Sequence, residues 1–168
     1  MRIPTDHSGN SDGTVVGLKG SGFVLREADF SDMAGLERIE NICFPYGRYS
    51  GAILRAFLMN PFSRTYVVEQ DGIVASEIII IHRRSVEIAS IAVLPEARGR
   101  GIAKALLGKA EQIATKKRIS TLTLHVAVDN TPAIKLYEKE GYRACEVISE
   151  YYGSGLSALY MKKELNIQ

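Results

Sequence analysis

Arg98-Gly99-Arg100-Gly101 stands between an apolar run ending at Val93 and a helix-periodic run beginning at Ile102. Backbone N–H groups at the start of a helix have no intrahelical partner and carry positive partial charge. Two glycines there let a ligand approach the main chain closely, and two arginines add charge. Such a loop supports anion binding, above all of a pyrophosphate. A Walker loop does not fit: Gly108-Lys109 is followed by Ala110, lies inside the helical run and lacks the upstream glycine. A dinucleotide fingerprint is poorly matched, because Lys104 holds the place of its third glycine. On its own, Gly-x-Gly equally marks a tight strand-to-helix turn.

Two further side chains could move protons. Glu87 interrupts an apolar strand, Val-Glu-Ile-Ala-Ser-Ile-Ala-Val, and His125 lies in Thr121–Ala127. In that second strand Leu122, Leu124 and Val126 share one face, which turns His125 to the other with Thr121 and Thr123. Read for packing alone, Glu87 is a strand-end surface charge and His125 a half-buried histidine. Cys43 and Cys145 are far apart, and His7, His82 and His125 do not cluster in sequence. No metal site is expected, since a structural zinc needs about four ligands. Both cysteines read as free core thiols, which suits a reducing cytoplasm.

These residues need a scaffold. The chain has 168 residues, 46% of them hydrophobic, enough for one domain with a proper core. Residues 1–22 are rich in Gly, Ser and Asp and read as a flexible tail, leaving 23–168 as the domain. The early residues lack the apolar stretch of a signal peptide, and the run Ile78 to Ile81 is far too short to span a bilayer. With 21 basic and 19 acidic residues, the chain gives no sign of a nucleic-acid or membrane partner.

From Phe23 onward the pattern predicts a strand, then a helix capped by Ser31 or Asp32 and carrying Met33, Leu36, Ile39 and Ile42. A second helix holds Ile53, Leu54, Phe57 and Leu58 and ends before Pro61. Three strands follow, at 65–69, 73–81 and 86–93, the first two joined by the Asp71-Gly72 turn. Then come a helix with Ile102, Leu106, Ala110 and Ile113, the strand 121–127, a helix over 132–139 stopped by Gly141, and a closing hairpin of 143–151 with 156–163. The order β-α-α-β-β-β-α-β-α-β-β describes one mixed α/β domain of α+β type. Its sheet is mostly antiparallel, with one parallel βαβ step.

Three segments in this order resemble the GNAT superfamily of acetyltransferases. Arg98-Gly-Arg-Gly101-Ile-Ala103 is similar to its Arg/Gln-x-x-Gly-x-Gly/Ala loop, and the strand with Ile-Ala-Val-Leu-Pro precedes it. Asn130-Thr-Pro-Ala-Ile-Lys-Leu-Tyr137, followed by Gly141-Tyr142, resembles its Asn-x-x-Ala-x-x-Leu-Tyr element. The resemblance implies a mixed six- to seven-stranded sheet with a central splay, flanked by about four helices. It implies acetyl-CoA as co-substrate, with no metal. Ile91, Ala92 and Val93 would hold the acetyl and pantetheine arm, the Val93 N–H polarising the thioester oxygen. Arg98, Gly99, Arg100, Gly101, Ile102 and Ala103 would cradle the pyrophosphate, Asn130 would bond the arm, and Tyr137 would protonate the leaving thiolate.

Within the superfamily the chain looks like the RimI- and Ard-type protein N-terminal acetyltransferases. Phe44-Pro45-Tyr46 resembles their substrate loop, Leu124-His125-Val126 their Leu-His-Val, and Tyr151-Tyr152 their closing hairpin. The resemblance implies protein or peptide N-termini as acceptors; an α-amine needs only a mild base, for which Glu87 and His125 are the candidates. It leaves self-association or an auxiliary subunit open. The stretch Tyr46-Gly47-Arg48-Tyr49 lacks an acid that many relatives place after the proline. Ala75-Ser76-Glu77 replaces their usual Ala-Gly-Tyr, which suggests an exposed or edge position. The competing readings are acetylation of a small amine, which the aromatic rather than acidic loops disfavour, and a non-catalytic acyl-CoA-binding module.

Overall fold

The computed structural model describes residues 16–17, 22–153 and 155–167. Among these residues eight strands form one sheet: β1 Val16–Gly17, β2 Val24–Glu27, β3 Ser63–Glu69, β4 Ile73–Ile81, β5 Ser85–Val93, β6 Thr121–Ala127, β7 Arg143–Ile148 and β8 Ala158–Glu164. Four helices cover it: α1 Met33–Cys43, α2 Gly51–Met59, α3 Ile102–Lys116 and α4 Thr131–Lys139. The sheet order is β1-β2-β3-β4-β5-β6-β8-β7. This is the predicted order with one short strand added in front. Of the expected tail, Val16–Gly17 pairs with β2, and residues 1–15 and 18–21 lie outside the described residues. No helix among the described residues is long and apolar enough to cross a membrane.

Both sheet faces are covered. Leu36 and Ile39 of α1 and Leu54 of α2 pack with Val67, Ile78, Ala92 and Leu94 on one side. Ile102, Leu106, Leu107 and Ala110 of α3 pack with Ala75, Ile79, Val86 and Ile88 on the other. Each fully buried leucine contributes about 1.5–3 kcal/mol. Ile42 and Ile53, expected on the apolar stripes of their helices, are exposed instead.

Three features position the site. First, β5 carries a bulge: Ile78 pairs with Ser90 but Ile79 with Ile88, so Ala89 is an extra residue. A bulge bends its strand and re-aims side chains. Val86 and Ile88 therefore face α3, whereas Ala92 and Leu94 face α1. Second, β5 and β6 pair in parallel only over Ser85–Ile88 with Thr121–Leu124, and beyond Ile88 they separate. That is the expected splay. Third, Gly101, the N-cap residue before α3, has φ +78, and Gly99 has φ +74. An added Cβ at either glycine would meet nothing within 4 Å, so backbone conformation selects glycine there and the space outside stays open.

Several expectations need correction. Asp32 holds the N-cap position of α1 as expected but makes no side-chain cap bond, pairing instead with Arg26 at 2.8 Å, while Asp29 caps the preceding turn Phe30–Asp32 by accepting the Ser31 N–H at 2.7 Å. The final hairpin is shorter than predicted, because Glu150 has φ +55 and the Gly153 N–H turns back to the Glu150 carbonyl. Cys145 is exposed and Cys43 half-buried, so only one thiol borders a core. Glu77 is neither exposed nor at an edge. It sits mid-sheet between Tyr66 and Ile91, with 0% exposure.

Candidate active site

The splay opens onto two adjoining cavities. The smaller, about 580 Å³, runs along the free edge of β5 to the start of α3. Ile91, Ala92 and Val93 line it, then Arg98, Gly99, Gly101, Ile102 and Ala103, with Asn130 and Tyr137 opposite. The Leu94 N–H donates to the Val74 carbonyl at 2.9 Å. Strand N–H groups alternate in direction, so that of Val93 points the other way, into the gap that β6 leaves. The Val93 carbonyl on this edge accepts Arg98 Nε at 3.0 Å. Asn130 Oδ1 caps α4 by accepting the Ala133 N–H at 3.3 Å, which leaves its amide nitrogen as a donor. Arg100 departs from expectation: it reaches Gln70 Oε1 at 3.3 Å and lies 4.8 Å over the Phe23 ring, away from the cavity.

The larger cavity, about 710 Å³, lies on the α1 side of the same gap. Phe44, Pro45 and Tyr46 form one wall, Tyr151 and Tyr152 another, and Glu87 and His125 the floor. Tyr137, Asn130 and Ile91 border both cavities. Gly47 has φ +68, and a Cβ there would lie 2.8 Å from the Tyr152 ring, so a glycine lets the two walls meet.

His125 is stacked between Tyr151 and Tyr160, at 4.6 and 4.9 Å between centroids. Burial pulls its pKa below the ordinary 6.5, and Glu87 opposes that pull. Its Nδ1 lies 4.0 Å from Glu87 Oε1, whose partner oxygen is 2.8 Å from His82 Nε2. His82 and His125 thus converge on one carboxylate, although their sequence spacing gave no hint of it. Tyr137 is 7% exposed, and burial, then Glu77, pushes its hydroxyl pKa up, so it stays protonated near neutrality.

Sequence reasoning missed two acids of this cavity, Glu40 and Asp129. Glu40 follows Leu36 by four residues on the apolar face of α1, and a charge at such a place was a usable signal. With Glu87 they make three carboxylates, and no Lys or Arg is among the described lining residues. The wall of this cavity is therefore acidic as well as aromatic, where aromatic side chains alone were expected.

A sheet that opens between parallel strands beside a glycine-flanked helix N-terminus is the architecture of an acyl-CoA transferase domain. Residues 33–142 match the Acetyltransferase (GNAT) family. The chain belongs to that family and is an acetyl-CoA-dependent acyltransferase. It is similar to a Bacillus subtilis (strain 168) protein provisionally named a ribosomal protein bS18-alanine N-acetyltransferase, with 30% identity over 84% of this chain and 95% of that one. An N-alpha-acetyltransferase of Sulfurisphaera tokodaii is 29% identical over 88% of this chain and 96% of its own. Among solved structures, Ard1 from Thermoplasma volcanium superposes with a TM-score of 0.80 at 20% identity, covering 87% of this chain and 99% of that one.

Proposed function

We propose that this enzyme moves the acetyl group of acetyl-CoA onto the α-amino group of protein N-termini. The observation that carries the reading is the junction of the two cavities: Ile91, Asn130 and Tyr137 border both. A thioester lying along β5 from the α3 N-terminus would end at this junction, facing an amine brought in over Glu87 and His125.

The steps follow from the groups present. The incoming ammonium has a reference pKa of about 7.7–8.0, against about 10.4 for lysine, so a mild base suffices. His125, neutral at pH 7, or Glu87 takes the proton, directly or through water. The free amine attacks the thioester carbon, and the Val93 N–H meets the developing oxyanion. The C–S bond breaks as Tyr137 gives its proton to the departing sulfur, the nitrogen loses its second proton to water, and water reprotonates Tyr137. The products are the N-acetyl chain and CoA thiol. Arg98, Gly99, Gly101, Ile102 and Ala103 hold the pyrophosphate at the positive end of α3. Two free thiols suit a reducing cytoplasm.

The acidic cavity favours a second reading, acetylation of a small cationic amine, because Glu40, Glu87 and Asp129 would all attract it. One assay separates the two. Thiol release from acetyl-CoA is followed with free-N-terminal peptides, N-blocked lysine peptides and small polyamines. Turnover on free N-termini alone is expected. Turnover confined to polyamines would replace this reading with the second, and acetyl-CoA binding without turnover would leave a non-catalytic binder.

A further inference from the structure

We propose that Glu40 is the positioning residue of the acceptor site: it clamps the loop 44–49 onto the β5 bulge and so sets where the amine meets the thioester. The inference rests on the larger cavity being the acceptor site. Glu40 Oε2 accepts the Tyr49 N–H at 2.8 Å, and Oε1 accepts the Ser90 hydroxyl at 3.4 Å. The Tyr49 hydroxyl then donates to the Ala89 carbonyl at 3.2 Å. Ala89 is the extra residue of the bulge, and Ser90 follows it. Both ends of Tyr49 are therefore tied, one through Glu40 and one directly, to the two residues at which β5 changes face. The Tyr49 ring also meets Phe57 of α2 edge-on at 5.1 Å.

Glu40 is only 3% exposed, at a place on α1 where an apolar side chain would pack. A buried carboxylate is costly unless hydrogen-bonded, and here burial pushes its pKa up while the Tyr49 N–H and Ser90 hydroxyl pull it down. Both oxygens are engaged in holding the loop. That distinguishes Glu40 from Glu87, which faces His125 across the cavity floor.

The test compares Glu40→Met, similar in volume but without an acceptor, with Glu40→Gln, whose amide oxygen still accepts the Tyr49 N–H. Peptide KM and kcat, acetyl-CoA Kd, and hydrogen exchange of the segment 44–50 are measured. Losing one such bond to a charged group should raise peptide KM and speed loop exchange roughly tenfold in Glu40→Met. Acetyl-CoA Kd should not change, kcat should change little, and Glu40→Gln should rescue most of the effect. Wild-type loop exchange in a folded Glu40→Met would overturn the clamp. So would an equal loss of kcat in both variants at constant KM, because Glu40 would then be handling protons. Should Glu40→Met not fold, Tyr49→Phe cuts the Ala89 anchor alone and must show the same KM split at smaller size. If the wild type acetylates no peptide, the acceptor reading fails, and the exchange measurement still decides the clamp.

Discussion

The Tyr46 hydroxyl donates to Asp129 Oδ1 at 3.3 Å, joining the loop after α1 to the loop before α4. The Tyr46 ring also lies 5.8 Å from that of Tyr152, so three separate segments meet at the larger cavity. Tyr46→Phe removes one partly exposed bond, worth about 0.5–1.5 kcal/mol. Peptide KM should rise about two- to tenfold in steady-state assays, with acetyl-CoA Kd unchanged. Equal KM values for Tyr46→Phe and wild type would mean that this bond is absent from the bound state.

The pH dependence of kcat at saturating peptide tests the base. His125 accepts a proton only when neutral, so kcat should rise with pH through its pKa. Burial places that limb below 6.5, and the Glu87 charge is the group that raises it. Glu87→Gln should therefore move the limb to still lower pH, while His125→Ala should abolish it. An upward shift in Glu87→Gln would show that the limb belongs to another group.

Tyr137 is the group for which packing and chemistry are hardest to separate, since it is nearly buried and borders both cavities. Tyr137→Phe keeps the ring against its edge-on neighbour Tyr142, 6.0 Å away, and removes only the hydroxyl. Loss of a donor to the leaving sulfur should lower kcat about 10²-fold. The acetyl-CoA Kd from titration calorimetry should stay within about twofold, as the hydroxyl acts on the departing thiolate. A kcat within threefold of wild type, roughly the scatter of such comparisons, would return Tyr137 to a packing role.

Much of this arrangement was legible in the sequence, for identifiable reasons. Element order follows from periodicity and from breakers such as Pro61, Pro95 and Gly141, which act locally. Glu87 and His125 were legible because each interrupts or opposes an apolar face. The bulge at Ala89 was not, because inserting one residue leaves composition unchanged while reversing which face Ser90 and Ala92 occupy. The convergence of His82 on Glu87 was hidden for a related reason, since it depends on how the β4–β5 hairpin closes. The direction of the Arg100 side chain was not legible, because a motif gives no direction: the arginine after Gly99 turns to Gln70 and Phe23, which are distant in sequence.

Glu77 gives the sharpest stability prediction. Its carboxyl is fully buried, neither oxygen has a hydrogen-bond partner among the described groups, and burial raises its pKa well above 4.5 against a weaker pull from Lys109. In the unfolded chain a glutamate titrates near ~4.3. Below that pH both states hold the proton and the site is neutral to pH. Above it the unfolded chain releases the proton while the folded chain keeps it. Stability therefore falls as pH rises toward the folded pKa, by about 1.4 kcal/mol per pH unit where the difference is one full proton. Glu77→Gln fills the same space without that titration. The two proteins should melt at similar temperatures near pH 4, and the variant should gain on wild type as the pH rises above 5 toward the folded pKa of Glu77. Parallel melting curves across that range would mean that Glu77 ionises in the folded state much as it does in water, and hence that water reaches the middle of the sheet.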